Sequence, residues 1–375
     1  MPVNDRMREP ADVRPPRRWR IVLPLALVAV LALGWSGFWF YAQGRARTAL
    51  AAWSAREAAA GRVVSCANQD FGGFPFRLEL SCGAPELALT RAHVSLKARD
   101  LHAAVQVYQP NLALAEFGGP LTVADEAGHA VTVDWKLAQA SVRGLAGMPP
   151  ERISFVLDQA SVARSRGQDT LARAAHAEFH VRPAPRLPQD PLAFDLALYL
   201  TKAVLSGVPR VPATPIDAQI TGTVRGLDDF SPRPLAQVLR DMQAANGRLD
   251  VTQARIQQGN VLGVGRGTLR LTARGTLDGE LELSVAGIED LMVALGLDKK
   301  VGQASQHALD RVVPGLDLNR LLGSRGNAAL AAVGATMLGR PTELEGRQAV
   351  ALPLRFADGA VFLGPLKVGD VAPLF

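Results

Sequence analysis

Cys66 and Cys82 are the two cysteines of a 375-residue chain. Thiols serve redox exchange, metal ligation or a structural bridge, and the first two need a C-x-x-C spacing or further ligands, which the sequence does not supply. An isolated pair in an oxidising compartment is most economically a disulfide, and closing a loop of this size contributes about 3 kcal/mol in the chain-entropy account. His176-x-Glu178-x-His180 comes nearest to a metal motif, because strand alternation carries all three to one face. The opposite face then holds Ala175, Ala177, Phe179 and Val181, so the polar trio reads more simply as the wet side of a half-buried strand. Gly263-x-Gly265-x-Gly267 lacks the strand-to-helix switch that a phosphate cradle needs and points to a bulged or closely approached strand. Asp228/Asp229 and Glu289/Asp290 precede apparent helices, where capping accounts for them. No G-x-S-x-G, H-E-x-x-H or P-loop occurs. No catalytic residue is assigned, neither a metal nor another cofactor is called for, and an enzyme is the minority reading.

The elements that must hold these groups are mostly strands. Between the cysteines, ANQDFGGFPFRLELS reads as a hairpin. Its arms are Arg62–Cys66 and Phe76–Cys82, its turn lies around Phe71-Gly72-Gly73-Phe74-Pro75, and Phe76, Leu78 and Leu80 alternate with Arg77, Glu79 and Ser81. A midpoint near Phe74 sets the cysteines opposite each other. Period two recurs in AHVSLKARDLHAAVQVY, AVTVDWKL, ISFVLD, AHAEFHV, LAFDLALYL and IDAQIT, then in GRLDVTQARI, GTLRLTAR and ELELSV. Asp278-Gly279 is a two-residue hairpin signal joining Leu269–Arg274 to Glu280–Val285. Helical spacing is rarer. Leu235, Val238, Leu239 and Met242, introduced by Pro234 and closed by Gly247, predict a helix over 233–246, and the changed character of 289–338 predicts three short ones. The expected fold is mainly β, a β-rich α+β chain: an N-terminal transmembrane helix followed by extended antiparallel meander sheets with a few short helices.

Residues 21–42, IVLPLALVAVLALGWSGFWFYA, carry no charge. At about 1.5 Å per residue they reach about 33 Å, enough for a hydrocarbon core of about 30 Å, with Trp35, Trp39 and Tyr41 placed for an interfacial aromatic belt. The rival reading, a cleaved signal peptide, expects a shorter apolar stretch and a small-x-small site, which Phe40 and Ala42 do not provide. Six arginines against three acidic residues precede the span, so half of the net charge of +6 belongs to topology. That asymmetry predicts a cytoplasmic tail over 1–20, a single-pass anchor in the bacterial inner membrane over 21–42, a helical stalk over 43–61 and a periplasmic bulk. The bulk divides into β-rich halves, 62–185 with the disulfide and 186–375 with the helices, at the proline-rich stretch Pro183–Pro191. Its near-balanced charge and few aromatics argue against nucleic-acid binding.

CANQDFGGFPFRLELSC, with Gly73, Phe74, Pro75, Phe76 and Arg77 between the cysteines, and the C-terminal LPLRFADGAVFLGPLKVGDVAPLF resemble the signatures of a bacterial envelope family catalogued as domain of unknown function 2125. The resemblance covers nearly the whole chain after the anchor and implies a location more than an activity. Residues 247–295 are similar to the terminal module of AsmA-like proteins, β-rich proteins of the inner membrane, and that similarity implies lipid handling. Two expectations follow. In one, an apolar strand face such as Leu192, Phe194, Leu196, Leu198 and Leu200, with room left by Ala103, Ala175, Ala177 and Ala218, binds or shuttles lipid or another hydrophobic envelope component in a concave sheet. In the other, the chain is a non-catalytic envelope scaffold that engages a partner protein through strand edges or Pro365–Phe375. The plain reading of any one stripe is closed sandwich core.

Overall fold

A computed structural model describes residues 19–144, 150–165, 169–185, 192–206, 213–227, 234–294, 339–364 and 366–375. Helix α1 (Trp19–Ala59) runs without interruption through the expected span and stalk. It stops where Gly61 takes φ 83°, a conformation open to glycine. The helix is long and apolar enough to cross a membrane, and the rest of the protein covers only 6% of its most apolar stretch.

Ten short strands follow: β1 (Arg62–Ser65), β2 (Asn68–Gly72), β3 (Arg77–Gly83), β4 (Glu86–Leu89), β5 (Val94–Lys97), β6 (Asp100–Gln106), β7 (Gln109–Gly118), β8 (Leu121–Asp125), β9 (Ala130–Asp134) and β10 (Leu137–Arg143). Taken two at a time they are five runs of chain, each broken by two residues, at 66–67, 84–85, 98–99, 119–120 and 135–136. On one side of the breaks β1, β4, β5, β8 and β9 pair in that order, and on the other β2, β3, β6, β7 and β10 do. β11 (Arg152–Arg164) closes both series, pairing with β10 through Asp158 and with β9 from Ser161. The breaks therefore line up as a crease across the sheet. Local chemistry explains them: Pro85 and Pro120 cannot donate to a ladder, and Ala84 and Gln159 take φ of 47° and 51°. Along the crease the amides of Ala67, Ala84 and Arg99 link neighbouring runs, donating to the carbonyls of Gly83, Arg99 and Gly118 at 2.9, 2.9 and 3.1 Å.

The crease corrects the expected hairpin. Arg62–Ser65 pairs with β4, and the arm opposite β3 is Asn68–Gly72, so Phe71 and Gly72 belong to a strand. Cys82 faces Gln69 in register while Cys66 sits in the break, and the two cysteines are bonded with Cα atoms 5.5 Å apart. The polar, largely exposed residues Asn68, Gln69 and Asp70 of this edge strand hide the alternation that would have revealed it.

Longer strands continue the meander: β12 (Thr170–Pro183), β13 (Ala193–Leu205), β14 (Ile216–Arg225), β15 (Arg248–Gln258), β16 (Val261–Leu271) and β17 (Leu277–Ala286), each antiparallel to the next. After them β19 (Arg347–Ala357) adds to β17, flanked by β18 (Arg340–Leu344) and by β20 (Ala360–Leu363) with β21 (Leu366–Asp370). Pairing of β12 with β13 carries one sheet past Pro183. Asp278 and Gly279 lie within β17, a second correction: the reversal is made by Thr272–Thr276, where Thr272 N–H donates to the Thr276 carbonyl at 2.9 Å and Gly275 takes φ 75°. Gly279 is needed for close approach, since a Cβ there would lie 2.2 Å from the Thr268 carbonyl oxygen.

Two helices cap parts of one sheet face. α2 (Leu235–Ala244) lays Val238, Leu239 and Met242 over Phe194, Leu196, Val224 and Leu249. It ends at Ala244, with Asn246 at φ 52° just beyond the cap in place of Gly247, whose missing side chain admits the Arg225 carbonyl. α3 (Ile288–Ala294) sets Ile288 and Leu291 against Val285, Val350, Leu352 and Leu363. The expected helical region beyond it, 295–338, lies outside the described residues.

Candidate functional site

Cross-strand register makes the apolar face continuous. Starting at β3, the residues directly opposite one another are Leu80, Ala103, Ala115 and Ala140. The row goes on through Phe155, Phe179, Leu198 and Ile220 and then Ala254, Gly265, Leu283 and Leu352. No polar side chain interrupts these twelve strands, which at about 4.8 Å per strand amount to about 50 Å. Three alanines in succession make a shallow trough, walled by Phe155 and by Phe117 beside it at a ring distance of 6.2 Å. Of the sequence-selected stripe, Leu192 precedes β13 and is exposed, Phe194 and Leu196 lie under α2, and Leu198 and Leu200 stand on the stretch between α2 and the trough, half-buried.

One end of this face is fastened to α1. The hairpin of β2 and β3 lies along the helix, and its turn is Gly73-Phe74-Pro75-Phe76. Trp35 Nε1 donates to the Pro75 carbonyl at 2.8 Å, Trp39 Nε1 to the Arg77 carbonyl at 2.8 Å, and Gln43 Nε2 to the Phe71 carbonyl at 3.0 Å. Spacing by four residues is what sets these three donors on one helix face. Trp39, only 3% exposed, meets the Phe74 ring edge-on at 5.3 Å, Phe76 stands 6.2 Å from Trp35, and the Arg47 guanidinium lies over Phe71 at 5.1 Å. Gly73 takes φ 94°, and a Cβ there would press on the Arg77 carbonyl at 2.6 Å, so the turn requires glycine. Phe76, Leu78 and Leu80 share the apolar face, which makes the row continuous with the aromatic contacts to α1. The sequence marked Trp35 and Trp39 as belt residues and Gly73–Arg77 as a signature; what it missed is that they bind each other.

The opposite face is polar. His176 hydrogen-bonds with Asp158 at 2.5 Å and with Glu178 at 2.7 Å, and His180 with Glu178 at 2.9 Å and with Ser154 at 2.9 Å. Glu178 first, then Asp158, hold the His176 imidazole above its ordinary pKa, while His176 and then His180 hold the Glu178 carboxyl below its own. The histidines and Glu178 thus spend their polar atoms on one another and on β11, and no group of three His, Cys, Asp or Glu among the described residues is arranged to hold a metal ion. Two clefts, of about 450 and 530 Å³, open on this same polar side, one beside His180, Arg182 and Asp195 and the other beside His102, Glu116 and Gln139. The depression expected on the apolar side is thus not what these two clefts are. Gly263, Gly265 and Gly267 lie within β16, and at Gly267 a Cβ would lie 2.2 Å from the Glu280 carbonyl oxygen, the close approach the sequence suggested.

A span-length apolar helix, a hairpin docked on it and a long antiparallel sheet with one apolar face define a class: a sheet protein carried by a single N-terminal helix that fits a membrane anchor. The chain belongs to the DUF2125 family, described as an uncharacterized protein conserved in bacteria, with the match covering residues 39–372. No curated protein and no solved structure matches it.

Proposed function

We propose that the chain is anchored in the inner membrane with its arginine-rich tail in the cytoplasm and its sheet in the periplasm, and that the apolar face receives acyl chains of a lipid or another hydrophobic envelope component. The observation that carries this reading is the unbroken apolar row from Leu80 to Leu352, which begins at the strand whose turn is fastened to the membrane helix. An ordinary core would close such a face along its length. Here α2 and α3 cover the far strands, and the stretch from the alanine trough to Leu198 and Ile220 stays half-buried among the described residues. Each methylene transferred from water to that surface is worth about 0.8 kcal/mol, so an acyl chain lying across several strands is held against water but not against the bilayer, as exchange requires.

The test is to supply a phospholipid with a photoactivatable acyl chain to membranes holding the full chain, irradiate, and map the label by peptide mass spectrometry. Label on β11 to β14 supports the reading; label confined to α1 and its docked hairpin contradicts it. Leu198→Glu would place a charge in the middle of the face, opposite Phe179 and Ile220. That change should abolish label on β12 to β14 while leaving label on α1.

A further inference from the structure

We infer that the turn Gly73–Phe76, together with Tyr108 of the neighbouring turn, is seated in the bilayer itself, at the interfacial layer on the far side of the span. This rests on the reading of residues 21–42 as membrane-spanning. If the hydrocarbon layer starts near Ile21, about 30 Å of helix at about 1.5 Å per residue ends near Phe40. Trp35, which holds Pro75, then lies roughly 7 Å inside that limit, and Trp39, which holds Arg77, lies at it. Farther along, Gln43 and Arg47 hold Phe71 where water begins. The hairpin therefore descends along α1 with its tip directed back into the membrane.

The side chains and the backbone both suit that depth. Phe74, Phe76 and Tyr108 are exposed to 53%, 58% and 65% within the protein, an apolar and amphipathic cluster that water would penalise and an interface would accept. Backbone groups at membrane depth must be satisfied internally. The Gly73 carbonyl accepts from Arg77 N–H at 2.9 Å and the Phe76 carbonyl from Val107 N–H at 3.0 Å. The Pro75 and Arg77 carbonyls take the two indole donors, and Pro75 has no N–H to leave unpaired. Arg77 reaches Glu79 at 3.0 Å with its side chain largely exposed, as a cation at the rim of an interface does.

Nitroxide labelling in reconstituted bilayers tests this. Both native cysteines are bonded and no free thiol exists among the described residues, so Phe74→Cys, Phe76→Cys and Tyr108→Cys each offer one thiol for a label. Leu31→Cys in the span and Leu235→Cys on α2, 63% and 71% exposed, serve as lipid and water references. Tyr108→Cys guards against undocking, because Tyr108 makes no ring or hydrogen-bond contact with α1 among those described. Power saturation should show the three tip labels relaxed by oxygen several-fold more than by a water-soluble nickel chelate, as at position 31 and unlike position 235. If position 31 reads lipid and all three tip positions read water, the inference is overturned and the anchor stands. If position 31 itself reads water, the membrane reading fails and takes the inference with it.

Discussion

Glu178 is shared by two histidines, and both hydrogen bonds favour its carboxylate form. His176 has a folded pKa raised above its ordinary 6.5, so its contribution is complete below that value and fades as pH rises through the raised one. Glu178 has a folded pKa lowered below its ordinary 4.5, so its contribution is complete above that value and fades as pH falls through the lowered one. The two overlap between pH 4.5 and 6.5. Because these side chains are about a third exposed, the cluster should be worth no more than about 1 kcal/mol. Thermal unfolding of wild type and Glu178→Gln should differ most near pH 5.5 and converge toward alkaline pH; a difference independent of pH would contradict this account. Cys82 sets a larger effect. Its bond to Cys66 ties the break between β1 and β2 to β3, so Cys82→Ser should cost about 2–5 kcal/mol, read as a lowered denaturant midpoint that reductant no longer shifts.

Docking of one element on another depends on Trp39, whose indole is buried against Phe74 while its N–H holds the Arg77 carbonyl. Trp39→Ala should weaken the contact by about 3–5 kcal/mol, and Trp39→Phe, which keeps most of the packing, by about 1 kcal/mol. Hydrogen exchange over Phe71–Leu80 in lipid nanodiscs should accelerate in that order; unchanged exchange in Trp39→Ala would show that the hairpin does not depend on the helix. How far such elements were legible depends on whether their signal is local. Strands with one wet and one dry face, such as Ile153–Leu157 and Leu196–Leu200, announce themselves by period two, and α2 by its apolar stripe. The edge strand Asn68–Gly72 has no such alternation, because Asn68, Gln69 and Asp70 are all exposed and the strand meets the side of α1 through Phe71, whose carbonyl accepts from Gln43. Asp278-Gly279 misled because glycine serves close approach of strands as well as turns, and a sequence does not distinguish the two uses. The candidate site was half legible. The leucine stripe and the signature turn could be read from residues, whereas their continuity through the alanine trough depends on register between strands far apart in the chain.

Across the whole molecule one sheet carries an apolar and a polar face, and under the proposed function only the apolar face meets lipid. Leu198 and Gln219 test that claim at close range, since they lie on adjacent strands, one residue out of register and therefore on opposite faces. p-Benzoylphenylalanine is placed at each position in turn in the full chain, cells are irradiated, and the purified protein is weighed by mass spectrometry. A lipid adduct at position 198 and none at position 219 is the predicted result. Adducts at both positions alike, or none at 198 while the same probe at position 31 reacts with lipid, would contradict it.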